Sequence, residues 1–115
     1  MEKQNIIKEK TFEFAKEIVY LYKNLADNKE FVLSKQILRS GTSIGANVRE
    51  AEHAQSKADF IYKLSIALKE ANETEYWLDL LYETQYMTIE MFQNIKNKIV
   101  EILKLLTSII NTSKK

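Results

Sequence analysis

The stretch Ser40-Gly41-Thr42-Ser43-Ile44-Gly45-Ala46-Asn47 decides the fold. It holds the only two glycines of a 115-residue chain that has no proline at all. A helix interior normally avoids glycine, which costs about 1 kcal/mol against alanine. Here both lie inside an amphipathic pattern, four residues apart and on one helical face. Either another helix backbone approaches closely at that face, as small residues allow, or the helix kinks there.

Outward from this run, the chain reads as four helices. The first spans about 5–26, with Ile7, Thr11, Phe14, Ile18, Leu21 and Leu25 on one stripe and Phe12, Ala15, Val19, Tyr22 and Ala26 beside it. Two adjacent stripes make the wide apolar face of a bundle helix. Asp27-Asn28-Lys29-Glu30 reads as a turn. The second helix covers about 31–54, with Leu33, Ile37, Ser40, Ile44, Asn47 and Ala51 on one stripe and Leu38, Gly41, Gly45 and Val48 on the next. Ser56 followed by Asp59 has the spacing of an N-cap with an acid three residues on. The third helix then runs over about 57–84 on Phe60, Leu64, Ala67, Ala71, Thr74, Leu78 and Leu81. Thr88 is placed to cap the fourth, about 89–111, whose stripe is Phe92, Ile95, Ile99, Ile102, Leu106 and Ile109. At ~1.5 Å per residue these helices are roughly 33–40 Å long. Short connections make consecutive helices antiparallel neighbours. The expectation is one all-α domain over 1–115, an up-down-up-down antiparallel four-helix bundle.

Composition narrows the function classes. Apolar residues form 45% of the chain, enough for a core and too many for bulk disorder. With no cysteine, a disulfide scaffold, a thiolate metal site and a cysteine nucleophile are excluded. Met1-Glu2-Lys3-Gln4-Asn5 has neither the basic n-region nor the long apolar core expected of a signal peptide, and no apolar run approaches the ~18 residues of a membrane span. A cytoplasmic protein without a membrane partner is expected. Net charge is +1, unlike a strongly basic nucleic-acid binder. Charge is nevertheless uneven: 57–86 has three lysines against six acids, and 87–115 five lysines against two glutamates.

Two motifs carry a family resemblance. One is Gln36-Ile37-Leu38-Arg39-Ser40-Gly41-Thr42-Ser43-Ile44-Gly45-Ala46-Asn47-Val48-Arg49-Glu50-Ala51. The other is Asp59-Phe60-Ile61-Tyr62-Lys63-Leu64, continued at Lys69-Glu70-Ala71-Asn72-Glu73-Thr74-Glu75-Tyr76-Trp77-Leu78. Together they resemble the bacterial four-helix bundle proteins encoded in intervening sequences of 23S rRNA genes. The resemblance implies a ring-shaped homopentamer with no established molecular role. More distantly, it is similar to the accessory proteins of diversity-generating retroelements, which bind a reverse transcriptase and nucleic acid through a basic pentamer surface. The near-neutral charge of this chain departs from that branch.

The candidate site is a polar set on the second and third helices: Arg39, Ser40, Asn47, Glu50, Glu70 and Glu73. Ser40 and Asn47 fall on a core stripe, and Glu70 and Glu73 share a side with Trp77. A buried polar group must find partners, so a partnership of Arg39 or Asn47 with these carboxylates is expected. Such a set serves as a polar layer fixing helix register or subunit pairing, as a recognition site, or as an acid–base pair. Nothing marks a nucleophile or an oxyanion hole, so no catalytic residue, enzyme activity or cofactor is expected. Glu50-Ala51-Glu52-His53 has the Glu-x-x-His spacing of di-iron bundles. Those need the motif on two helices, and this chain has a single histidine, so no metal site is expected. Lys96, Lys98, Lys104, Lys114 and Lys115 could meet phosphates, or could be an ordinary solvated face. Tyr20, Tyr62, Tyr76, Trp77, Tyr82 and Tyr86 are too many for one small core, and some are expected at a subunit interface. The resulting expectation is a non-enzymatic protein that assembles with itself as a scaffold or binding module. RNA or an RNA-handling protein is the further partner that this reading would allow. The alternatives are a nucleic-acid-binding accessory protein and a metal-binding bundle.

Overall fold

A computed structural model describes residues 2–115. Its elements are α1 (Glu2–Asp27), α2 (Leu33–Ala51), α3 (Lys57–Glu83) and α4 (Ile89–Ser113), with no strand among the described residues. Each helix packs against its neighbour in the chain, α4 closes back on α1, and the diagonal pairs stay apart. Ion pairs fix the directions. Lys8 on α1 meets Glu52 just past α2, Glu50 on α2 meets Lys63 on α3, and Glu17 on α1 meets Lys98 on α4. These are antiparallel registers, so the fold is an up-down-up-down four-helix bundle, 45 × 21 × 19 Å.

The core follows the apolar periodicity. On α1 the buried residues are Ile7, Thr11, Phe14, Ile18, Leu21 and Leu25. On α3 they are Leu64, Ala67, Ala71, Thr74, Leu78 and Leu81, and on α4 Ile95, Ile99, Ile102, Leu106, Ile109 and Ile110. Helix starts are capped as the hydroxyl positions require: Ser56 accepts from the Asp59 N–H at 3.0 Å, and Thr88 from the Met91 N–H at 3.2 Å.

The second helix departs from expectation at both ends. It begins at Leu33 rather than 31 because Glu30 acts as its cap. The Glu30 carboxylate accepts the N–H groups of Val32, Leu33 and Ser34, the last at 2.6 Å. Ser34 in turn donates its hydroxyl to the Glu30 carbonyl. The helix ends at Ala51 rather than 54, where tighter bonds from Glu52, His53 and Ala54 to carbonyls three residues back wind the last turn. Within it, the buried face is Ser34, Ile37, Ser40, Gly41, Ile44, Val48 and Ala51. Ser34 and Val48 occupy places the pattern gave to Leu33 and Asn47.

Two connections share one mechanism. At the ends of α1 and α3, Lys29 (φ 65°) and Gln85 (φ 72°) adopt the left-handed conformation. The Lys29 and Glu30 N–H groups then reach the Ala26 and Leu25 carbonyls, and those of Gln85 and Tyr86 reach Tyr82 and Leu81. Both are Schellman closures, the role usually given to glycine. Here a lysine and a glutamine fill it.

Candidate functional site

The seam between α2 and α3 gathers the polar groups. At its centre the hydroxyls of Ser40 and Thr74, both fully buried, hydrogen-bond at 2.9 Å. Thr74 Oγ1 also reaches the Glu70 carbonyl at 2.8 Å. Just outside this pair, the Arg39 guanidinium spans two carboxylates one turn apart on α3. One nitrogen lies 3.3 Å from Glu70, and the other pairs with Glu73. Glu73 Oε2 also accepts from the Trp77 indole N–H at 3.0 Å, and Tyr76 meets Trp77 edge-on with centroids 5.1 Å apart. Toward the far end of the seam, Lys63 lies 3.2 Å from Glu50, whose carboxylate holds the ammonium pKa above its usual value.

Thus Arg39, Glu70 and Glu73 come together, with Ser40 on the adjacent buried face. Asn47 and Glu50 do not join them. Asn47 is half-exposed and donates to the Ser43 carbonyl of its own helix, because Val48 takes the buried position. Glu50 is exposed and serves Lys63. The expected link from Asn47 to the α3 carboxylates is therefore absent. Thr74, the buried partner of Ser40, lay on the predicted core stripe but outside the predicted polar set. A hydroxyl on each of two facing stripes was the available signal.

The glycine run packs against α1. A Cβ built on Gly41 would stand 2.8 Å from Ile18 Cγ1, and one on Gly45 3.3 Å from the Thr11 carbonyl oxygen. Neither glycine has a positive φ. Close approach, rather than a kink or a turn, is what the missing side chains permit.

Lysines proposed for phosphate contact divide into two groups. Lys96 lies 2.7 Å from Asp79 and 3.1 Å from Glu75, and above the Phe92 ring. Burial presses its pKa down, but its bonds to the two carboxylates outweigh this and hold it above the usual lysine value. Lys98 lies 2.6 Å from Glu17. Lys104 borders a groove between α3 and α4 with Asn72, Thr107 and Asn111, and Lys114 and Lys115 stand at the end of α4. Along the opposite seam, a groove of about 420 Å³ between α1 and α4 is rimmed by Glu9, Glu13, Glu17 and Glu101 with Lys10 and Lys98. No group of three or more His, Cys, Asp or Glu among the described residues is arranged to hold a metal ion. The Glu-x-x-His motif is split: Glu50 turns to Lys63, and His53 lies exposed beyond the end of α2.

Chemically, the α2–α3 seam is a set of matched pairs. Ser40 has a hydroxyl for its partner rather than a base, and the Arg39 cation bridges the two adjoining carboxylates, offsetting one of their two charges. This geometry fixes one helix against another. No helix of the described residues is long and apolar enough to cross a membrane.

Fold and seam together define a small up-down helical bundle protein whose middle helices are locked by a polar pair and an arginine bridge. The chain belongs to the 23S rRNA-intervening sequence protein family, whose model matches residues 3–108. Among solved structures it is similar to a protein of unknown function from the S23 ribosomal protein family of Bacteroides thetaiotaomicron VPI-5482. The two are 66% identical, with 95% of this chain and 98% of that chain covered and a TM-score of 0.93. No curated protein matches the chain.

Proposed function

We propose that this protein is a non-enzymatic, cytoplasmic scaffold or binding module that works as a homo-oligomer. A ring of five chains is the assembly that the family resemblance implies. The observation that carries this reading is the exposure of large aromatic side chains on several helix faces. Tyr20 is 66% exposed, Tyr62 62%, Tyr76 59% and Phe12 48%. Large amphipathic aromatics are enriched where protein surfaces meet, and a core this well filled has no use for them. The polar seam supports the same reading, since its groups are spent on holding α2 to α3. Light scattering of the purified protein at low and high salt tests it. In dilute solution a mass near five chains is expected at both, and a monomer at both would refute the ring.

The nucleic-acid reading draws less support. Lys96 and Lys98 are engaged by carboxylates, which leaves Lys104, Lys114 and Lys115 as a thin basic strip. RNA binding that weakens steeply with salt and disappears on neutralising those three lysines would favour it.

A further inference from the structure

Helix α3 is apolar on two faces. Its inner stripe is buried, as above. Its outer stripe runs Tyr62, Ile66, Lys69, Glu73, Tyr76 and Leu80, with steps of four, three, four, three and four residues. Tyr62, Lys69 and Tyr76 are exposed, and Ile66, Glu73 and Leu80 are half-exposed. A bundle helix that covers only its own core needs one apolar stripe.

The outer stripe has a symmetry that its individual residues do not reveal. Its spacing reads the same from either end, about a midpoint level with Ala71. Reversing the helix puts an apolar residue over an apolar residue and a cation over an anion. We propose that two copies of this chain pair through α3, antiparallel across a two-fold axis at the level of Ala71. In that register Tyr62 packs on the partner's Leu80, Ile66 on the partner's Tyr76, and Lys69 faces the partner's Glu73. The axis repeats each contact, as an isologous interface must. Two ion pairs then flank the centre, and two apolar pairs close each end, over a strip about 27 Å long.

Charge supports a second copy as the occupant. Lys69 forms no ion pair within the chain among the described residues. Glu73 spends Oε2 on Arg39 and Trp77, which leaves Oε1 for another cation. A basic partner would meet Lys69, and an acidic one would meet Glu73. Only a surface with the opposite charge order satisfies both, and this helix reversed is such a surface. Like charges set opposite one another would destabilise the alternative parallel pairing. One helix-on-helix strip buries less than the ~800 Å² per partner of a typical stable interface, so the pairing is expected to depend on concentration.

The contact uses the exposed aromatics of α3 and leaves those of α1, Phe12 and Tyr20, to the ring, so the experiment keeps the two apart. Mass is measured by light scattering from dilute to concentrated solution for the wild type, Tyr62→Ser/Tyr76→Ser, Lys69→Glu and Lys69→Arg. Concentrated wild type should contain an even number of chains. The tyrosine double variant and Lys69→Glu should halve that mass, Lys69→Arg should keep it, and all should retain the wild-type helical signal and, in dilute solution, the wild-type melting temperature. Ten chains falling to five would sustain both the contact and the ring. Two falling to one would sustain the contact and refute the ring. Five chains in concentrated wild type would overturn the contact and leave the ring standing. A monomer throughout would overturn both. An unchanged mass in a folded tyrosine double variant would also overturn the contact.

Discussion

Gly41 on α2 faces Ile18 on α1: a Cβ on the glycine would sit 2.8 Å and 2.9 Å from the two γ-carbons of Ile18. Both γ-carbons branch at the carbon nearest the helix, so the isoleucine cannot swing a flexible end away. Gly41→Ala gains about 1 kcal/mol of helix propensity and meets an overpacking cost of ~1–3 kcal/mol. A net loss of stability is expected. Gly45→Ala faces a milder contact, 3.3 Å from the Thr11 carbonyl oxygen, so propensity and crowding should nearly cancel. Chemical denaturation of the two variants checks the order. Gly41→Ala more stable than wild type would refute close packing at this crossing.

Glu30 predicts an acid-sensitive helix start. Burial pushes its carboxyl pKa up, but the Ser34, Leu33 and Val32 N–H groups pull harder the other way, so it lies below the usual carboxylate value. A depressed folded pKa contributes stability above the unfolded pKa and loses it as pH falls through the folded value. Glu30→Gln should therefore cost about 0.5–2 kcal/mol at neutral pH, the range of a lost cap. The gap to wild type should close in acid, below the ordinary carboxylate range. A gap that stays constant across a pH series of unfolding curves would show that the charge plays no part.

Lys29 and Gln85 hold a conformation that costs a residue with a Cβ roughly 1–2 kcal/mol. Glycine removes that strain and returns part of the gain as unfolded-state entropy. Lys29→Gly and Gln85→Gly should each stabilise by about 0.5–1 kcal/mol on balance. Their effects should add, since the two sites close different helices. Thermal unfolding of the single and double variants measures this.

The Ser40–Thr74 pair predicts a coupled response. Thr74→Val leaves the Ser40 hydroxyl buried without its partner, at about 1–3 kcal/mol. Removing both hydroxyls in Ser40→Ala/Thr74→Val should cost less than the sum of the single changes, because no orphan remains. A double-mutant cycle returning strict additivity would mean the two hydroxyls do not depend on each other.

The four apolar stripes were legible because each repeats over several turns, and a long repeat tolerates an error in any one place. The buried positions of α1 match its first stripe, while Phe12 of the second is exposed; those of α3 and α4 match the pattern apart from Phe60 and Phe92, which are half-buried, and Ile110, which is buried in addition. Family membership was legible for a related reason: its two motifs together run along most of α2 and α3. Helix α2 was harder to read. Its start rests on Glu30, whose side chain bends back over the following turn, and composition alone makes an acid in a turn look like solvent-facing polarity. Asn47 was misplaced because two stripes compete along that helix, and contact with α1 at Gly41 and Gly45 selects the one carrying Val48. The Arg39–Glu70–Glu73 bridge was readable as residue types on facing helices. Its separation from Glu50 was not, since register between helices is a property of packing.

Because the chain visits its neighbours in order, three of the four seams are closed by segments that follow one another directly. Only the seam between α1 and α4 joins the two extremes of the chain, and it is also the most sparsely packed. Local contacts form quickly, while distant ones wait for the whole chain to be gathered. The molecule is thus three hairpins in series with a latch. The latch is expected to be made last on folding and released first on opening, so amide hydrogens facing the α1–α4 groove should exchange ahead of those along the arginine-bridged α2–α3 seam.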